Sequence, residues 1–314
     1  MTHHWGYMAA ITSALLFGAG TTLNKIVLAE THPTIVAGLI YLFAGLSLSL
    51  IRLSPLQKRI ISVFETKTKT EAGIAKKDLV VLALVVLSGS TIAPYLFLNG
   101  LDQTTAINAS LLQNAESLFT VLIAFLLLGE RATKKDWVGV AFLTVGALFL
   151  TANGEFQRLT LSQSLLGNVL VVAACLFWGI DNNLSRFLSK KEDLILVTAL
   201  KCLVGGTILL LLSLALGLEF HVPLTAFPYL ITVGAFSVGF SILFFLLSLR
   251  EIGAMKTGII FSTSSLFGAV FAFAILRESF SLIQLIAGLV MLTGVYVICM
   301  KYKKSEKALI KASK

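Results

Sequence analysis

Residues 95–150 read YLFLNGLDQTTAINASLLQNAESLFTVLIAFLLLGERATKKDWVGVAFLTVGALFL, and residues 243–298 read LFFLLSLREIGAMKTGIIFSTSSLFGAVFAFAILRESFSLIQLIAGLVMLTGVYVI. A shift of 148 positions superposes Leu101 on Leu249, Ala106 on Ala254, Ser117 on Ser265, Phe125 on Phe273, Glu130 on Glu278 and Gly146 on Gly294. Each copy reads as an apolar helix, a short charged turn and a second apolar helix. A duplicated supersecondary unit constrains the whole architecture, because each copy must find the same kind of neighbours.

Composition sets the solvent. Hydrophobic residues make up 57% of the 314 residues and charged residues 13%, with a mean hydropathy of +0.91. Ordinary soluble domains carry about 25% charged residues. A chain this apolar cannot cover a water-facing surface and is expected to be polytopic in a bilayer. The spacing of apolar runs predicts an all-α protein with ten spans, at roughly 6–28, 34–52, 79–99, 104–127, 136–152, 165–187, 194–216, 226–248, 254–275 and 280–300. The opening MTHHWGYMAA lacks a basic region and a clear cleavage site, so the first span is expected to stay. Cys175, Cys202 and Cys299 all fall in apolar runs and read as small buried hydrophobes.

Charge placement orients the chain. Most of its 25 Lys and Arg residues fall on one side if the N-terminus is cytoplasmic. That side collects the basic loop 53–78, the turns after spans 4, 6 and 8, and the tail 301–314. The rule that basic loops stay inside therefore predicts both termini in the cytoplasm. It also explains the net charge of +9 without any nucleic-acid partner.

The first spans of the two halves match as well. LLFGAGTTLNK (15–25) lies over LFWGIDNNLSR (176–186) at a shift of 161, with Gly18 on Gly179 and Lys25 on Arg186. The shift changes because loop 53–78 is longer than 217–225. The expected organisation is a first five-span repeat at 1–152, an outer linker at 153–164, a second five-span repeat at 165–300 and a basic tail at 301–314. Five is odd, so the second repeat starts from the opposite face and the halves are inverted. Secondary transporters use this plan, with the substrate near the midplane between the halves.

The stretches LLLGERATKKDWVGVAFLTVGA (126–147) and AILRESFSLIQLIAGLVMLTGV (274–295), in this duplicated order, resemble the EamA family of the drug/metabolite transporter superfamily. Nearly the whole chain takes part. The second copy departs from the pattern at Arg277, where the first has Gly129. The resemblance implies a ten-helix transporter of small metabolites such as amino acids, working in the export direction in a cell membrane. The minimal loops fit the plasma membrane of a prokaryote.

Polar groups inside apolar spans are costly and so are candidates for function. Glu116, mid-span in NASLLQNAESLFT, must be protonated, paired or facing a wet cavity. It reads either as a coupling or amine-binding group or as a structural carboxyl. Asn108, Gln113 and Asn114 join it on the same span, and Ser262 and Ser265 stand at matching places in the second copy. The serines read equally as packing glue between helices. Asp181 and Lys201 are each ten positions from Lys191, so antiparallel helices bring them to one depth. They form a structural pair or a gate, with Asn182 beside them and Arg186 as a rival partner for Asp181. Lys25 and Arg186 either bind an anionic group or extend to headgroups. Trp178, over Phe17 in the repeat, is a candidate pocket wall, and Pro94 a hinge or a static bend.

No phosphate-binding loop, HExxH or GxSxG occurs, and His3, His4, His32 and His221 lie at an end or in loops. Neither an enzyme nor a cofactor or metal protein is expected. The expected partners are a small-molecule substrate, lipid and protons, with the chain a monomer or homodimer. Gradient coupling, exchange and facilitated diffusion stay open as mechanisms, and a non-transport assembly protein is the remaining alternative.

Overall fold

The computed structural model describes residues 4–55, 76–128, 134–151, 163–189 and 194–312. These residues fold into helices without strands. The first is α1 (His4–Leu28), followed by α2 (Pro33–Leu53). Then α3 (Lys76–Leu87) runs through a widened stretch, Ser88–Ile92, into α4 (Ala93–Gln103). The first half continues with α5 (Ala106–Leu112), α6 (Ala115–Leu128) and α7 (Lys134–Thr151). The second half holds α8 (Gln163–Ser189), α9 (Leu194–Ala215), α10 (Phe227–Thr232), α11 (Ser241–Ser262), α12 (Ser264–Phe271) and α13 (Leu282–Ala312). Most of the expected basic loop 53–78, the linker 153–164 and Glu130 lie outside the described residues, as do the side chains of Arg186 and of the tail.

Seven helical stretches are long and apolar enough to cross a membrane, and three shorter apolar helices, Trp137–Thr151, Ile260–Leu276 and Leu282–Val297, accompany them. Exposed Leu, Ile, Val and Phe side chains on these helices would be intolerable in water. In a bilayer they face solvent of their own kind. The chain is a polytopic helical membrane protein.

Local chemistry starts and stops the helices. Pro33 opens α2 behind His32, whose Nδ1 accepts the Thr34 N–H at 3.2 Å. Ser281 and Gln284 make a capping box at α13. Ser281 Oγ accepts the Gln284 N–H at 3.1 Å, and Gln284 Oε1 accepts the Ser281 N–H at 2.8 Å. The helix before it ends at Arg277, which takes the left-handed conformation at φ 56°. The first repeat has glycine at this place, the residue for which that conformation is free of steric cost.

Packing is organised around close crossings. α2 lies along α9, where Gly38 and Gly206 put each backbone against the other. α7 pairs with α13, α1 with α11 and α12, and α8 with α4 and α6. Ser13 on α1 donates to the Ser241 carbonyl at 2.7 Å, and Ser241 returns a bond to the Ser13 carbonyl at 3.0 Å. Two of the expected spans are bent in ways the apolar pattern does not signal. The span expected at 104–127 is broken at Gln113–Asn114, where the backbone tightens to three-residue bonds. The helix before α12 is broken the same way at Thr263, one residue off the matching place in the repeat. Within α11 the Ser248 and Thr257 hydroxyls stand 2.7 Å apart. Nine residues of straight helix span about 13.5 Å, so the chain reverses between them.

Candidate functional site

The widened turn before Pro94 builds the centre of the molecule. Ala93 donates its N–H to the Ser88 carbonyl, five residues back. The next donor in that register would be Pro94, which has no N–H. The Gly89 carbonyl is therefore unclaimed by its own helix. It accepts instead from Tyr41 Oη and from Trp178 Nε1, each at 3.3 Å. Pro94 thus marks a bend whose orphaned carbonyl holds two aromatic side chains in place.

Gly89 has a second consequence. A Cβ there would fall on the Asp181 carboxylate. The missing side chain lets Asp181 lie against the bend, where its Oδ2 accepts from Lys201 Nζ at 2.7 Å and its Oδ1 from Ser185 Oγ at 2.9 Å. Asp181 and Lys201 are only 7% and 8% exposed. Asp181 thus pairs with Lys201. At the next residue, Asn182 Nδ2 donates to Glu116 Oε1 at 2.6 Å and reaches Thr120 Oγ1 at 3.3 Å.

These groups face one cavity of about 140 Å³. Glu116, Asn182 and the Asp181–Lys201 pair form its polar wall, and Phe17, Trp178, Phe245 and Phe261 form its aromatic wall. The rings interlock. Phe17 lies 5.2 Å from Phe261 and Phe245 4.7 Å from Phe261, centroid to centroid, with Trp178 edge-on to Phe17 at 6.5 Å. A smaller chamber of about 50 Å³ lies on the far side of this aromatic layer and shares Phe17, Tyr41, Trp178 and Val238 with the larger one. Its own polar lining includes Asn24 and Gln113, whose amide oxygens have no hydrogen-bond partner.

The remaining candidates lie elsewhere. Asn114 Nδ2 donates to Ser265 Oγ at 2.8 Å, and Ser265 Oγ donates to the Ser262 carbonyl at 2.9 Å. These three join the two helix breaks and do not line the larger cavity. Asn108 Oδ1 accepts from Gln284 Nε2 at 2.7 Å, tying α5 to the start of α13.

Lys25 and Glu278 do something the sequence did not signal. Lys25 Nζ donates to the carbonyls of Leu101, Asp102 and Thr104 at 2.6, 3.0 and 2.8 Å, where α4 ends. Glu278 accepts the N–H groups of Ala106 and Ile107 at 2.8 and 2.9 Å, where α5 begins. A cation thus meets a helix C-terminus and an anion a helix N-terminus, the favourable sign in both cases. One tight turn is clamped from α1 on one side and from the α12–α13 connection on the other. Asn168, also missed in the sequence, braces the same turn: its Oδ1 accepts from Thr104 Oγ1 at 2.6 Å. Among the described residues no cluster of His, Cys, Asp or Glu has the arrangement of a metal site.

A charged cavity inside a bundle of apolar helices fits a membrane transporter, and the comparisons agree. The EamA-like transporter family model matches residues 4–152 and 165–300, and the chain belongs to that family. An "Uncharacterized transporter" of Methanothermobacter thermautotrophicus is 43% identical over 298 residues, 95% of this chain and 87% of the relative. The "Uncharacterized transporter YetK" of Bacillus subtilis is 21% identical over 96% of this chain and 88% of its own. A crystal structure with a TM-score of 0.65 and 15% identity, covering 95% of this chain and 98% of its own, has the same fold. The protein is a multi-pass membrane transporter of the drug/metabolite transporter superfamily.

Proposed function

We propose that the chain is a secondary transporter that exports small metabolites by alternating access, with Glu116 as the proton-coupling group. The reading takes ten spans as two inverted five-helix halves, with both termini cytoplasmic and the protein in the plasma membrane. The packing supports it. Exchanging the halves turns the α1–α11 contact into the α4–α8 contact and the α1–α12 contact into the α6–α8 contact, and carries α2–α9 and α7–α13 onto themselves. In that frame the Lys25–Glu278 clamp closes the outer face. Asp181, Ser185 and Lys201 of the charged cavity then lie towards the cytoplasmic ends of their helices, on the loading side for export.

One observation carries the proposal: the Glu116 carboxylate faces a cavity inside a bundle of apolar helices and takes its hydrogen bond from a neutral amide, that of Asn182. A carboxyl in that position can carry a proton in one direction and release it to make room for a solute in the other. The sequence expectation of an amino acid or related compound fits a cavity with both apolar and charged walls. The test is uptake of a labelled panel of amino acids, amines and apolar metabolites into proteoliposomes. Saturable uptake of at least one compound is expected. Folded protein that moves none of them, with or without a pH gradient, contradicts transport and leaves an assembly role.

A further inference from the structure

With Glu116 ionised, the charges of the described residues on the cavity wall do not balance, and the imbalance describes the guest. Lys201 and Asp181 neutralise each other at 2.7 Å, and the second Asp181 oxygen is taken by Ser185. Glu116 uses one oxygen for Asn182. Its other oxygen has no hydrogen-bond partner and no cation among the described residues. Among the described residues the wall therefore offers one open anionic acceptor and no open cation.

We infer that the preferred guest is a monocationic primary amine on a body about the size of one aromatic ring. The inference rests on the transport reading and narrows it from amino acids to amines. A guest ammonium supplies the missing charge at Glu116. A guest carboxylate would enter the same low-dielectric space with Lys201, the one lining cation among the described residues, already engaged, and a buried unpaired charge is strongly disfavoured. An amino acid thus loses at one end what it gains at the other. The rest of the cavity suits an apolar body. Phe17, Trp178, Phe245 and Phe261 present rings, and ring faces also attract a cation lying over them. The cavity of about 140 Å³ is close to the ~150 Å³ that accommodates a benzene molecule in a protein interior.

The test uses three compounds that share a phenylethyl body and differ in the charged groups it carries: phenethylamine, phenylalanine and 3-phenylpropionate. Binding of each labelled compound to the full chain in detergent is measured by equilibrium dialysis at pH 7.5. Counterflow of each is then measured in proteoliposomes. Phenethylamine is expected to bind at least tenfold more tightly than phenylalanine, and 3-phenylpropionate not at all. Glu116→Gln keeps the shape and the Asn182 contact and is expected to weaken phenethylamine binding at least tenfold, while Glu116→Asp keeps part of it. If either substitution fails to fold, the three-compound ranking on the native chain still decides. Binding of phenylalanine or 3-phenylpropionate as tight as the amine, binding of none of the three, or amine binding indifferent to Glu116→Gln overturns the inference. Phenylalanine that exchanges when phenethylamine does not sinks the amine and spares transport. Phenethylamine that binds without any compound exchanging sinks transport and spares the site.

Discussion

Replacing Lys25 by Met should open the face of the protein that its ammonium holds shut. The side chain makes three bonds to backbone carbonyls, two of them part-buried and one exposed. A hydrogen bond to a charged group contributes about 1.5–3 kcal/mol, and water readily replaces an exposed one. Counting only the two part-buried bonds at the lower figure gives about 3 kcal/mol, or roughly a hundredfold in an equilibrium constant. If the clamp exists only when this face is closed, the whole of that loss moves the closed–open equilibrium towards open. Thr21 lines the smaller chamber beneath the clamp. A cysteine placed there by Thr21→Cys, with Cys299 replaced by Ser, reports the opening through its reaction rate with a membrane-impermeant maleimide. Cys175 and Cys202 are fully buried and give little background. Lys25→Met should raise the labelling rate of Thr21→Cys by tens of times, and Lys25→Arg should raise it far less. A labelling rate unchanged by Lys25→Met, together with a lowered melting temperature, would mean that the clamp is a permanent brace, and the gating argument would be wrong.

Three further outcomes follow from the same contacts. Asp181→Asn strands a buried ammonium and should cost about 3–5 kcal/mol, while the double change Asp181→Asn, Lys201→Met should recover most of it. Thermal unfolding in detergent reads both. Gly89→Ala pushes a methyl group into the Asp181 carboxylate and should cost about 1–3 kcal/mol by overpacking, with a larger loss of transport than of stability because the Asp181–Lys201 pair shifts. Arg277→Gly keeps the left-handed conformation and removes its steric cost of about 1 kcal/mol, so it should leave the melting temperature unchanged or slightly raised. A clear drop would mean that the Arg277 side chain contributes more than its backbone costs.

Much of the centre was legible in the sequence because membrane burial makes each polar residue conspicuous. Glu116 stood out for that reason. The Asp181–Lys201 contact followed from equal spacing about the turn near Lys191. The clamp was not legible. Lys25 near a span end reads as extending to headgroups, and nothing local reveals that three carbonyls of another helix lie within its reach. Glu278 was visible only as a repeated residue, since its partners lie 171 and 172 positions away. The helix breaks at Gln113–Asn114 and Thr263 carry neither Gly nor Pro, so the apolar pattern runs through them unmarked. Tyr41 and Gly89 escaped notice because their role depends on the five-residue register before Pro94. Hydrophobic periodicity carries no trace of that register.

The most direct test of the account is the effect of an imposed pH gradient on uptake by wild-type and Glu116→Gln protein in the same liposomes. The account predicts uptake that rises with the gradient in wild type and loses that dependence in Glu116→Gln, with both proteins equally folded. Uptake that ignores the gradient in wild type, or that follows it equally well in Glu116→Gln, would make Glu116 a structural carboxyl and the protein a facilitator or exchanger coupled elsewhere.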